Sequence, residues 1–88
     1  MTTYFLELYQ KQNDSDTTAG VYEIIRIKLD SKDENEIIRK LTFLSKIIDL
    51  QNYNIYIHVC NHDKGIQCYL EKVDNAIIQK ALEIASKV

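Results

Sequence analysis

The stretch Tyr53–Glu71, YNIYIHVCNHDKGIQCYLE, predicts a β-hairpin on which the rest of the chain packs. Its two halves, Tyr53–Cys60 and Gly65–Glu71, each alternate aliphatic side chains with polar or aromatic ones, which is the pattern of a strand with one buried face. Between them, Asn61-His62-Asp63-Lys64 followed by glycine is typical of a short hairpin connection, because glycine accepts a positive φ without strain. We therefore expect two adjacent antiparallel strands.

The register of the hairpin follows from the requirement that the aliphatic side chains share one face. If Cys60 lies opposite Gly65, the aliphatic residues of the two strands meet and the tyrosines meet on the other side. In this register Cys68 is a small core residue, Cys60 is a surface thiol, and a disulfide between them is not expected. The predicted pairs are Val59 with Ile66, Ile57 with Cys68, Ile55 with Leu70, and Tyr56 with Tyr69.

Alternation before the hairpin predicts two further strands, at Thr3–Lys11 and Val21–Leu29, joined by the polar loop 12–20. Apolar residues at helical spacing predict a first helix from about Asp33 to Leu50 and a second from Asp74 or Asn75 to the end of the chain. Each helix has one main apolar stripe to bury.

The predicted order of elements is thus ββαββα, and the predicted class is α+β. The simplest assembly is one four-stranded antiparallel sheet with both helices on one face. We expect the spatial strand order 1-2-4-3, which is that of a permuted ferredoxin-like sandwich. With 88 residues the chain is long enough for one domain, so residues 1–88 are expected to form a single α+β domain.

Composition and charge indicate a globular protein and argue against nucleic-acid-binding and membrane-spanning classes. The chain is 45% hydrophobic and 27% charged, an ordinary globular balance. Its formal net charge of -2 argues against strong non-specific binding to nucleic acid, which normally needs a basic surface. The sequence has no apolar run of the roughly 20 residues that a membrane helix needs, and no signal-peptide pattern. A cytoplasmic location is therefore expected.

The strongest functional signal is the sheet face that the helices leave uncovered, called here the open face. Five of the eight aromatic residues fall on it. The preference of tyrosine and phenylalanine for strands explains part of this enrichment, but a large aromatic patch is also typical of a contact surface. The predicted contact residues are Phe5, Tyr9, Tyr22, Ile24, Arg26, Tyr56, His58 and Tyr69.

We therefore expect a small non-enzymatic binding or regulatory module that forms a homodimer or binds a protein partner through this face. The alternative is single-stranded nucleic acid, with bases stacked on Tyr22, Tyr56 and Tyr69 and phosphates contacted by Arg26 and Lys28. The net negative charge of the chain disfavours this nucleic-acid alternative. A third reading is an inhibitor or immunity-type protein that masks a partner's surface. A second stripe on the first helix, Phe43, Ile47 and Leu50, is another possible contact.

Residues with reactive or metal-binding side chains also cluster in the hairpin. His58, Cys60, His62 and Cys68 suggest a metal site, but the predicted register turns Cys68 into the core and leaves three ligands at best. Cys60 and His58 share a face and could form a nucleophilic pair, yet the sequence shows no oxyanion site. We expect no metal, no cofactor and no enzymatic activity.

Overall fold

A computed structural model describes residues 2–11, 23–61 and 66–87, and its elements follow the predicted order ββαββα. Residues 12–22 and 62–65, which include Tyr22, His62, the predicted loop 12–20 and most of the predicted hairpin turn, lie outside the described residues. Neither described helix has the length and apolar character that crossing a membrane would require. The elements are β1 Thr3–Gln10, β2 Glu23–Leu29, α1 Glu34–Ser45, β3 Tyr53–Asn61, β4 Ile66–Lys72 and α2 Asn75–Ser86, with a 3-10 turn at Leu50–Asn52 before β3.

The strands form one antiparallel sheet in the order β2-β1-β3-β4. The α+β class and the four-stranded antiparallel sheet are confirmed, but the predicted order 1-2-4-3 is wrong. In the structure β1 lies at the centre rather than at an edge. Its apolar run, with Leu6 and Leu8 fully buried, suits a strand with a neighbour on each side. The ferredoxin-like label depended on the predicted order and stays unconfirmed.

Both helices pack on the same face of the sheet. One continuous core joins Ile37 and Leu41 of α1 and Ala81 of α2 to the inward side chains of the strands. The alternating strand residues Leu6, Leu8, Ile55, Ile57 and Val59 supply the sheet's half of this core. The opposite face, with Phe5, Glu7, Tyr9, Tyr56 and His58, is the open face.

The register of the hairpin differs from the prediction by an odd number of residues. Val59 lies opposite Tyr69 and His58 opposite Leu70, with an irregularity between Val59 and Asn61. An odd shift exchanges the two faces of a strand. Tyr69 and Glu71 therefore lie on the helix face, and Cys68 and Leu70 on the open face. The predictions that Cys68 is a core residue and that Tyr69 is on the open face are wrong. Cys60, which was predicted to be a surface thiol, is buried and only 7% exposed.

Val73 gives the physical reason for this shift. It is buried in the core, and its backbone N–H donates to the carbonyl of Ile55 at 3.0 Å. Anchoring Val73 between β4 and α2 puts Tyr69 and Glu71 on the same side as Val73, because side chains alternate along a strand. Because β4 is an edge strand, the Leu70 side chain on the open face stays 47% exposed, and its apolar surface contributes less to stability than a buried side chain would.

The first helix is shorter than expected. It ends at Ser45, whose hydroxyl donates to the Thr42 carbonyl, while Thr42 donates to the Ile38 carbonyl. Such side-chain bonds compete with the helical ladder near its end. The predicted second stripe is divided: Leu50 is buried in the core, whereas Phe43 and Ile47 are 63% and 67% exposed.

Glu36 fixes the entry into α1. Its carboxylate accepts a hydrogen bond from the Asp30 backbone N–H at 2.9 Å and pairs with Arg39. The bond from Asp30, followed by the one from Arg39, holds the pKa of Glu36 below its ordinary value of 4.5. Because the folded-state pKa is lowered, the stabilisation is complete above pH 4.5 and is lost as the pH falls through the folded-state pKa.

We expect the Glu36→Gln variant to show a flatter acid limb of stability than the wild type. Glutamine has no carboxylate to protonate, so its folded and unfolded states do not differ at this site as acid is added. Urea unfolding between about pH 6 and pH 3 measures the difference. Parallel acid limbs in the two proteins would contradict the assignment.

Candidate functional site

A buried carboxylate lies at the centre of the open face. Glu7 of β1 is flanked by Arg26 on β2 and by Tyr56 on β3, and its side chain is fully buried. The carboxylate accepts a hydrogen bond from the Tyr9 hydroxyl at 2.6 Å and lies 3.0 Å from the Arg26 guanidinium and 2.5 Å from Nδ1 of His58. These three partners offset the cost of removing a charge from water.

The partners of Glu7 keep it ionised. Burial acts to raise the pKa of Glu7, but the hydrogen bonds from Tyr9 and His58 and the positive charges of His58 and Arg26 outweigh it, so the net pKa is lowered. A carboxylate can only accept hydrogen bonds, so Nδ1 of His58 carries the hydrogen of the bond to Glu7. Glu7 thereby fixes both the ring orientation and the tautomer of His58.

The other ring nitrogen of His58 faces two thiols. Nε2 lies 3.1 Å from Sγ of Cys60, two residues along the same strand and on the same face. Cys68 arrives from β4, because Cys60 follows Val59 and Cys68 precedes Tyr69, the partner of Val59. The two sulfur atoms lie 2.6 Å apart and no disulfide joins them.

The sulfur pair is electrostatically asymmetric. The hydrogen bond to Cys68, together with burial, raises the pKa of Cys60 to about 11. The same hydrogen bond, aided by His58 and by the Asn61 backbone, lowers the pKa of Cys68. For His58, burial acts to lower the pKa, but the bonds to Glu7 and Cys68 prevail and raise it. The pKa of the partly exposed Cys68 is thus lowered, whereas that of the buried Cys60 is raised.

Among the residues that the structure describes, His58, Cys60 and Cys68 form a group with metal-ligating atoms that all lie within 4.8 Å of one another. A tetrahedral zinc ion holds two sulfur ligands about 3.8 Å apart, given zinc–sulfur bonds of about 2.3 Å. The thiols would therefore separate by about 1 Å on binding, which small side-chain rotations on an edge strand provide. The donor set of one imidazole and two thiols is one that zinc prefers.

The predicted contact residues have different outcomes. Phe5, Tyr9, Arg26, Tyr56 and His58 share the open face: Arg26 stacks over the Phe5 ring at 5.2 Å, and the Tyr9 and Tyr56 rings meet edge to face at 5.6 Å. Tyr69 lies on the helix face, so its assignment to this surface is wrong. Tyr22 is outside the described residues, and of Ile24 only the strand backbone is described.

Three members of the cluster, Glu7, Cys60 and Cys68, are not among the predicted contact residues, although Cys60 is considered beside His58 for metal binding and catalysis. The predicted register assigns Cys68 to the core, and the alternation of β1 puts Glu7 on the open face without identifying its neighbours. One sequence feature could have pointed to both Glu7 and Cys68. His58 and Cys60 share a face of their strand, so polar or thiol side chains on the neighbouring strands are expected beside them. Identifying those partners requires the strand order, which puts Glu7 beside His58, and the register, which puts Cys68 beside Cys60.

Comparisons with protein-family models, with curated proteins and with solved structures found no match to this chain.

Proposed function

We propose that this protein is a non-enzymatic binding module whose ligand is a thiophilic metal ion such as Zn²⁺, held on the open face by His58, Cys60 and Cys68. One observation carries the proposal: three ligand atoms of the types that zinc prefers converge within 4.8 Å. Two thiolates and a neutral imidazole would balance the charge of a divalent ion, which makes the loaded site neutral.

The environment of His58 supports the same proposal. Histidine ligands of metals commonly donate their second ring N–H to a carboxylate, which sets the tautomer and makes the free nitrogen a better ligand. Glu7 stands in that relation to His58, with Oε2 at 2.5 Å from Nδ1. Tyr9 and Arg26 in turn hold Glu7, so the imidazole is oriented before any ion arrives.

The number of ligands favours an exchangeable site. Structural zinc sites use four protein ligands, whereas three leave a position for water or for a donor from another molecule. Cys68 lies on an edge strand, so the ion would be reached from the open face. We place the protein in the cytoplasm, because a site that needs two thiolates works where thiols are kept reduced.

Zinc titration of the reduced protein against a competing chromophoric chelator tests the proposal. We expect one equivalent to bind and the melting temperature to rise, because a ligand of the native state stabilises it. Cys60→Ser, Cys68→Ser and His58→Ala should each lose most of the affinity. Leu70→Ala is the matched control, since Leu70 lies opposite His58 on the same face and offers no ligand atom.

Two results would overturn the metal assignment. One is zinc binding that the double variant Cys60→Ser/Cys68→Ser retains at wild-type strength. The other is the absence of any zinc binding by the reduced wild-type protein in a folded state, as judged by circular dichroism.

Self-association through the open face is the second candidate. In the described part of the chain both helices lie on the other face, and the Tyr9–Tyr56 ring pair and Leu70 remain on this one. A second copy would bury these rings around the metal cluster. Single-stranded nucleic-acid binding and the masking of a partner protein stay predictions from the sequence.

If a dimer forms through this face, Tyr56→Ser should shift the molar mass towards the monomer at equal concentration, because it removes a half-buried ring from the contact. Light scattering across a concentration series measures this shift. Phe43→Ser, which removes an exposed ring on α1 instead, is the control. A larger loss of dimer in the control than in the Tyr56 variant would assign the contact to α1.

A further inference from the structure

We propose that Cys60 and Cys68 also form a reversible intramolecular disulfide by exchange with low-molecular-weight disulfides such as oxidised glutathione. The site would then have two uses for the same pair of sulfur atoms, metal binding and thiol–disulfide exchange. The exchange stands on its own geometry, whereas the competition between the two uses depends on the proposed function.

The two thiols are already close enough to be joined. Cys60 of β3 and Cys68 of β4 lie on neighbouring antiparallel strands, next to the Val59–Tyr69 pair. Their sulfur atoms lie 2.6 Å apart, and a disulfide bond is about 2.05 Å long. Forming the bond therefore needs an approach of about 0.5 Å, which is within the range of side-chain rotation.

The two thiols differ in access, which gives them different roles. Cys60 lies on the inner strand β3 and is 7% exposed, whereas Cys68 lies on the edge strand β4 and is partly exposed. An incoming disulfide therefore meets Cys68 first. Cys60, behind it, is in position to complete the reaction and is shielded from reacting with a second molecule.

The reaction balances in two exchange steps. The Cys68 thiolate attacks one sulfur of oxidised glutathione, the glutathione S–S bond breaks, and one glutathione leaves with the bonding pair as a thiolate. Cys60 then loses its proton and attacks Sγ of Cys68, and the second glutathione leaves as a thiolate. The proton of Cys60 passes to the solvent. Two protein thiols are oxidised and one disulfide is reduced.

Oxidation and metal binding exclude each other, because a disulfide sulfur has lost the thiolate charge that binds zinc. An oxidant would thus release the ion, and a reductant would restore the site. This consequence separates the pair from a structural disulfide, which would persist through both conditions.

The experiment uses the full chain with metal removed by a chelator, equilibrated in glutathione buffers of varied reduced-to-oxidised ratio. The reaction is quenched with acid, and the remaining thiols are alkylated and counted by intact mass. We expect both thiols to disappear together, with a midpoint inside the range that these buffers cover. Independent alkylation of the two thiols at every ratio, or a disulfide between two chains, would overturn the proposal.

Single-cysteine variants test the assigned roles. Cys60→Ser should accumulate the mixed disulfide of Cys68 with glutathione, whereas Cys68→Ser should react far more slowly through the buried Cys60. Equal rates of mixed-disulfide formation in the two serine variants would contradict the order of attack.

The outcome of the disulfide-exchange test can be distinguished from the outcome of the zinc-binding test. If the metal-free protein forms the disulfide but the reduced protein binds no zinc, the exchange stands and the metal function falls. If zinc binds but the thiols never pair, the reverse holds. In the zinc-loaded protein, oxidation should release one ion for each disulfide formed, as measured with a colorimetric zinc indicator.

Discussion

Replacing Glu7 with glutamine should weaken zinc binding by about 10- to 100-fold, although Glu7 contributes no ligand atom. Glutamine has nearly the same shape but carries no charge, so it holds the imidazole less firmly and no longer makes Nε2 of His58 a stronger donor. The measurement is the same chelator competition, carried out on protein that circular dichroism shows to be folded.

The matched control is Glu34→Gln, the same substitution on an exposed first-turn residue of α1 that pairs with Lys80. It should leave zinc affinity unchanged, because exposed ion pairs contribute little and this one lies on the helix side. Equal affinities in wild type and the Glu7 variant would show that His58 needs no support from the carboxylate, and would remove the main argument for a pre-oriented site.

Replacing Leu41 with alanine should lower the free energy of unfolding by about 2 to 5 kcal/mol. Leu41 is fully buried where α1 meets the sheet, so the change removes apolar contacts and leaves a cavity. Domains of this kind have a total stability of about 5 to 15 kcal/mol, so this single change consumes a large part of it. Urea unfolding measured by circular dichroism gives the difference.

Phe43→Ala on the same helix is the control for Leu41. Its ring is 63% exposed, and substitutions at such surface positions usually change stability by no more than about 0.5 kcal/mol. Comparable losses in the two variants would mean that α1 packs on the sheet through a different face from the one described.

The sequence predicts the kinds of elements and their order well, because hydrophobic periodicity is a local property. The pattern of Tyr53–Cys60 and the helical spacing around Leu41 need no knowledge of distant residues. Strand order is different, since it depends on which apolar strand gains most from two neighbours. Leu6 and Leu8 are fully buried at the centre of the sheet, but the alternation within one strand does not show which strands become its neighbours.

The register of β4 could not be derived from the aliphatic pattern of the hairpin. Ile66, Cys68 and Leu70 look like an inward face, but an edge strand buries little on either side, so this pattern carries little energy. The burial of Val73, just beyond the end of the strand, favours the observed register instead. An error of this kind exchanges faces and so affects every site residue on the strand.

The errors in strand order and in the register of β4 also explain why the candidate site was predicted only in part. His58 and Cys60 are found on one face from sequence, because two residues on a strand point the same way whatever the register. Glu7 depends on strand order and Cys68 on register, so the cluster can be recognised only when both are known.

The central position of β1 has a consequence for how the protein is made. β1 leaves the ribosome before its neighbour β3, which begins more than forty residues later, and Glu7 meets His58 across a separation of 51 residues. Such non-local pairing is slow to form, because a long loop must close first. During synthesis, β1 therefore lacks its neighbour β3 until that strand has been made, and a partly folded chain with an unpaired apolar strand is prone to aggregation. Glu7 and His58 come together only when β3 pairs with β1. If the proposed zinc site is correct, the appearance of zinc affinity should therefore report this pairing.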